Sequence, residues 1–251
     1  MLRLSALCLG LLLAWHASAA GPAPAPPSVD VNIVTAIDGS DSVSGHEIRL
    51  SLGGLAAALR TPEVLAAIRA GRTGRVGFAA FVWHTERVPV VPWTVLASAE
   101  DIEAVADVLE RRLEVSLDRE ARSGARYFIG RLTDLSRALD HAGGLLAAAP
   151  FPADRAVVNV VGNGSDNMGE AAADARDRLL AAGATINGVV IGADPEVLAY
   201  FRREVTGGPG AFVLPAATDR PLVDLMRRKL LRDLVAARGQ GRGPGAVTPP
   251  A

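Results

Sequence analysis

The chain has 251 residues, 49% of them apolar, and 26 basic residues stand against 27 acidic ones, a formal net charge of −1. That length suits one large domain with its own core, and the near-neutral charge leaves no basic footprint for nucleic acid. The single cysteine, Cys8, excludes a disulfide framework and zinc sites built on thiolates.

Residues 1–19 read as a secretory signal peptide. Arg3 supplies the positive start, Leu4 to Trp15 the apolar stretch and Ala17-Ser18-Ala19 a small-residue cleavage site. The stretch is shorter than the ~20 apolar residues that span a bilayer. Cys8 lies inside it and lacks the small residue that precedes a lipid-modified cysteine. Cleavage near Ala19 is therefore expected to release a cysteine-free chain into the periplasm or beyond. Lys229 is the one lysine among many arginines, and Ala, Gly and Pro abound, as in GC-rich bacterial coding.

Residues 20–28, with "GPAPAPP" from Gly21, read as a Pro/Ala linker. Residues 29–237 are expected to form the domain. Val31 to Asp38 reads as a buried strand, and Glu47 to Ala70 as helical with a break at Pro62. Strands follow at Arg75 to Trp83 and at Val88 to Val91, where Pro89 and Pro92 suit an edge. Ala99 to Leu113 is helical, and Glu114 to Gly130 has no clear period. Then come a helix over Asp134 to Ala148, a strand over Ala156 to Val161, a helix over Glu170 to Ala182 and a strand over Thr185 to Ile191. Pro195 to Val205 is helical, Ala211 to Leu214 a last strand and Pro221 to Ala237 a last helix. Residues 238–251 read as a disordered tail. The alternation predicts an α/β fold: a doubly wound, mostly parallel six-stranded sheet with helices on both faces. Ligands bind such sheets at the carboxyl ends of the strands.

Asp38 stands at one of those ends, followed by Ser40, Asp41, Ser42 and Ser44. Three readings compete for this run of oxygens. Ser44 with Glu47 fits a capping box, and Ser, Asp and Gly are ordinary turn residues. A nucleophilic serine lacks any Gly-x-Ser-x-Gly elbow in the chain. The third reading is a cation site: Asp38, Ser40 and Ser42 form Asp-x-Ser-x-Ser, a hard, oxygen-only set suited to Mg²⁺ or Mn²⁺.

Asp38-Gly39-Ser40-Asp41-Ser42-Val43 resembles the metal-ion-dependent adhesion site (MIDAS) of von Willebrand factor A (VWA) domains. The chain is more closely similar to a bacterial secreted subfamily of such domains with no assigned function. "TPEVLAAIRAG", "VVPWT", "APFPADRAVVNVVGNG", "ATINGVVI" and "GGPGAFVLPA" carry that likeness, in order, from about Val29 to Leu234. The resemblance implies a binding module whose metal takes a further ligand, often a carboxylate, from a protein partner. It adds Thr133 and Asn163 to the ligand set. Asn163 stands where the family has an aspartate, so charge is lost, and Arg131 stands where the family has small residues. The cation is accordingly expected to be held weakly or lost, with Asp41 or Asp166 as extra carboxylates. Two alternatives stay open: a Mg²⁺-dependent hydrolase on the same site, and a metal-free interaction domain in which Asp38 pairs with Arg131. His46, His84 and His141 have no ligand spacing.

Overall fold

The computed structural model describes residues 25–40, 43–84, 86–123, 133–166, 168–219 and 221–235, with 118–123 as backbone only. The leader, most of the linker, Asp41, Ser42, Arg131 and the tail therefore lie outside the described residues. The six strands are β1 (Val31–Asp38), β2 (Val76–Trp83), β3 (Arg87–Leu96), β4 (Ala156–Gly162), β5 (Ala184–Ile191) and β6 (Val213–Ala216). They form one sheet in the order β3-β2-β1-β4-β5-β6. Every neighbouring pair is parallel except β2 with β3.

The central strands are buried on both faces, which is why they read as nearly unbroken apolar runs. Alternation then sorts their side chains. Ile33, Ile37, Phe78, Val157 and Val189 face one core, and Val34, Ala36, Phe81, Val158 and Val190 face the other. The first core is covered by α1 (Gly45–Ile48), α2 (Gly54–Leu59), α3 (Pro62–Arg69), α4 (Ala99–Ser123) and α8 (Val223–Val235). The second is covered by α5 (Leu135–Ala147), α6 (Ala172–Ala181) and α7 (Pro195–Tyr200), the last continuing as a π-helical turn over Phe201–Val205. No described helix is long and apolar enough to cross a membrane.

Three elements differ from their expected bounds. β3 runs ten residues, because an edge strand tolerates Pro89 and Pro92 where a central one would lose ladder bonds. Register shifts between Phe78 and Phe81 absorb the irregularity. α4 continues to Ser123, past the expected end at Leu113. Beyond Leu113 the segment "EVSLDREARS" is rich in helix formers but has no apolar stripe, and Val115 is exposed, so propensity extends the helix after its packing has ended. β6 is shifted to Val213–Ala216 and carries Pro215 on the opposite edge of the sheet.

One polar seam interrupts the first core. Thr35, Asn159 and Asn187 are register partners across β1, β4 and β5, and all are buried. Beneath them lies Asp233 of α8. Its Oδ1 accepts from Asn187 Nδ2 at 2.9 Å, and its Oδ2 accepts from Asn159 Nδ2 at 3.1 Å and from Lys229 Nζ at 2.6 Å. Asn187 Oδ1 accepts from the Phe212 N–H. The lone lysine is thus buried and spent on an ion pair.

Candidate metal centre

The order 3-2-1-4-5-6 reverses direction between β1 and β4, and the crevice outside their carboxyl ends is the usual ligand site of such sheets. β1 delivers Asp38 there and β4 delivers Gly162 and Asn163. Asp38 is 2% exposed and Ser40 1% exposed. Asp38 Oδ1 accepts from the Ser40 N–H at 2.8 Å, the local bond that aspartate makes in turns. Asp38 Oδ2 is also buried, and it has no well-formed hydrogen bond among the described residues.

Glycine at position 162 makes room for that oxygen. A Cβ there would lie 3.1 Å from Asp38 Oδ2. Burial pushes the Asp38 carboxyl up to about 6; hydrogen bonding from Ser40 and the backbone of Asn163 offsets part of the rise, and the Glu47 charge adds to it. A buried, half-satisfied carboxylate costs about 1–3 kcal/mol for its unmet bond, and more when charged. A divalent cation would remove that cost by supplying both charge and coordination.

Thr133 is buried at the entry to α5, directly before the N-cap Asp134. The loop after β4 is tied to that helix start by Asp166. Its Oδ1 accepts from the Leu135 N–H and its Oδ2 from the Ser136 N–H, both at 3.3 Å, and Oδ1 also accepts from the Met168 N–H at 3.4 Å. Asp166 therefore spends its oxygens on amides at the start of α5, where a carboxylate also complements the helix dipole. Its carboxyl is raised by burial. Beside it an open cleft of about 480 Å³ is lined by Asp166, Met168, Glu170, Tyr200 and Glu204.

The remaining tie concerns a residue that sequence reasoning assigned to a different task. The Ser44/Glu47 capping box forms: Glu47 Oε2 accepts from the Ser44 N–H and Oγ–H at 2.8 Å each, and Ser44 Oγ accepts from the Glu47 N–H at 3.2 Å. The other carboxylate oxygen, Oε1, accepts from Asn163 Nδ2 at 3.3 Å. The Ser-x-x-Glu spacing revealed the cap but carried no signal of this second contact, which spans 116 residues of chain.

Of the expected ligands, the described ones, Asp38, Ser40, Thr133 and Asn163, offer one carboxylate, two hydroxyls and one amide, on loops that those bonds stitch together. Among the described residues no three His, Cys, Asp or Glu side chains converge to hold a metal. An oxygen-only set of this kind would suit a hard cation better than a soft one. Of the described histidines, His46 bonds the Thr218 carbonyl, His84 Nδ1 accepts from the Glu86 N–H and His141 packs edge-on against Phe81.

Among curated proteins none matches the sequence. Solved structures of the same fold include the vWF domain of the type V pili tip protein Mfa5 from Porphyromonas gingivalis. It is 10% identical, with a TM-score of 0.57 over 86% of this chain and 98% of that one. Proximal thread matrix protein 1 (PTMP1) from the mussel byssus, with a zinc-occupied MIDAS motif, matches at 14% identity and a TM-score of 0.54, over 85% of this chain and 47% of that one. The pilus adhesin SpaC from Lactobacillus rhamnosus GG matches at 12% identity and 0.53, over 84% and 31%. The chain thus spans about half the length of the mussel protein and less of SpaC. Residues 28–238 match the family described as "Protein of unknown function (DUF1194)", and the chain belongs to that family, with the fold of a von Willebrand factor A domain.

Proposed function

We propose that the chain is a secreted or periplasmic binding module that engages a protein partner through a divalent cation, Mg²⁺ or Mn²⁺. Asp38, Ser40, Ser42, Thr133 and Asn163 are the residues that would hold it. When bound, the cation supplies a positive centre able to accept an oxygen ligand, a carboxylate among them, from the partner. The observation that carries this reading is the buried Asp38 carboxylate, whose Oδ2 has no well-formed hydrogen bond among the described residues. Solved neighbours of the fold include a pilus tip protein, a pilus adhesin and a thread protein with zinc in its MIDAS motif, which supports an interaction role. Secretion rests on the leader-like residues 1–19.

The reading is of a binder and not a hydrolase. Metal-assisted hydrolysis needs a group beside the metal to activate or orient water. Among the described residues, Glu47 and Asp166 on the adjoining loops both have their oxygens engaged by backbone or side-chain donors. Capture of partners from periplasmic extract, with Mg²⁺ or with chelator, tests the proposal. A partner held only in the presence of the cation, and lost with Asp38→Ala, supports it. The same capture with chelator and with Asp38→Ala sinks it.

A further inference from the structure

We propose that Glu47 is a positioning residue of the cation site, orienting the Asn163 amide and returning the negative charge that an asparagine at this position lacks. The inference rests on the cation reading above and names how that site works without a second ligating carboxylate among the described residues.

An asparagine amide can present either end, and only its neighbours decide which. Glu47 Oε1 lies 3.3 Å from the amide, and an ionised carboxylate only accepts hydrogen bonds. The atom facing it must therefore be Nδ2, so the carbonyl oxygen is the other end of the amide, the end able to ligate a cation. The same contact lends the amide negative charge, much as carboxylates one bond behind a ligating histidine orient and enrich it. The second oxygen of Glu47 is fixed by Ser44 at 2.8 Å, so the carboxylate is held in place by two donors of its own loop. The loop facing it across the crevice carries Asn163, beside the Gly162 that makes room for the unmet Asp38 Oδ2.

From sequence alone, Asn163→Asp restores a missing charge. With Glu47 already facing the amide, it adds a carboxylate to one that is there, and removes the donor between them.

Calorimetric Mg²⁺ titration of the purified full chain separates these possibilities. Glu47→Gln should weaken Mg²⁺ about tenfold, the loss typical of removing a group that orients a ligand. It should leave the melting temperature of the chelated protein nearly unchanged, because glutamine also closes a capping box. Ser44→Ala opens that box but keeps the charge and the backbone donor to Glu47, so it should lower the melting temperature and cost clearly less affinity than Glu47→Gln. Asn163→Asp should gain little in the native background and about tenfold or more beside Glu47→Gln, a coupling expected of groups in contact. An unchanged affinity in Glu47→Gln overturns the proposal, as does an equal loss in Ser44→Ala. Should Glu47→Gln not fold, a tenfold gain from Asn163→Asp alone overturns it, and a gain of twofold or less supports it. A native chain that takes no Mg²⁺, or an Asp38→Ala variant that binds it normally, instead removes the cation reading itself.

Discussion

The aspartate under α8 and the aspartate at the end of β1 are both buried, yet the fold treats them in opposite ways. Asp233 has an ammonium and two carboxamides on its two oxygens. The atoms left unpaired around it among the described residues, Thr35 Oγ1 and Asn159 Oδ1, are neutral and so cheaper to strand. Asp38 has the Ser40 amide on Oδ1 and, among the described residues, no well-formed bond on Oδ2. Its neighbour at the same strand end is a glycine that keeps space open rather than a donor that closes it. A closed polar assembly under a helix holds the molecule together. An open one at a topological switch point is what a ligand would complete.

The sharpest way to break this contrast is Asp233→Ala. It leaves Lys229 buried without its partner, a loss of about 3–5 kcal/mol. At roughly 2–4 °C per kcal/mol for a domain of this size, melting should fall by about 6–20 °C. Mg²⁺ affinity of the molecules that remain folded should not change. A loss below about 1 kcal/mol would mean the seam is no lock.

Asp38→Asn should behave in the reverse sense. It removes a charge that burial disfavours, so the chelated protein should be as stable as the native one or more stable by about 1 kcal/mol. Any rise in melting temperature on adding Mg²⁺ should vanish, since a ligand stabilises only the state that binds it. Destabilisation as large as that of Asp233→Ala would erase the distinction between the two sites.

Gly162→Ala is the mildest probe. The added methyl meets Asp38 Oδ2 at 3.1 Å, closer than an ordinary contact. Stability should change by less than about 1 kcal/mol, while Mg²⁺ affinity falls several-fold because the carboxylate must turn. Unaltered binding would show that Asp38 has more freedom than the glycine implies.

Much of the architecture was legible because burial on both faces leaves a plain trace. "VNIVTAID", "VGFAAFVW" and "ATINGVVI" are apolar enough to stand out, and Asp38 ends the first of them. The polar seam was not legible for the same reason in reverse. Thr35, Asn159 and Asn187 look like interruptions in three separate strands, and only strand order makes them one row. Lys229 stood out by its rarity, but nothing local reveals that it is buried against Asp233. At the candidate site, Asp38 and Ser40 could be read from adjacent positions, whereas Thr133 and Asn163 needed a family likeness. Glu47 hid behind a correct assignment: a capping box explained it fully until the chain folded Asn163 onto its other oxygen. The far end of α4 shows the limit of periodicity, since a helix carried by propensity has no apolar stripe to read.

The burial of Lys229 has a practical side. Every other basic residue besides histidine is an arginine, so with Nζ sealed beneath the sheet the sequence offers acylating reagents no open lysine. Amine-directed coupling should therefore leave the side chains of the domain untouched. The described chain enters the sheet at Val29, beside Ala153, and runs along β1 to Asp38 at the opposite end. Eight residues of strand separate those ends by about 25 Å. A tether joined ahead of Val29 would hold the domain by the end of the sheet remote from Asp38, leaving the Asp38 loops open to whatever is passed over them.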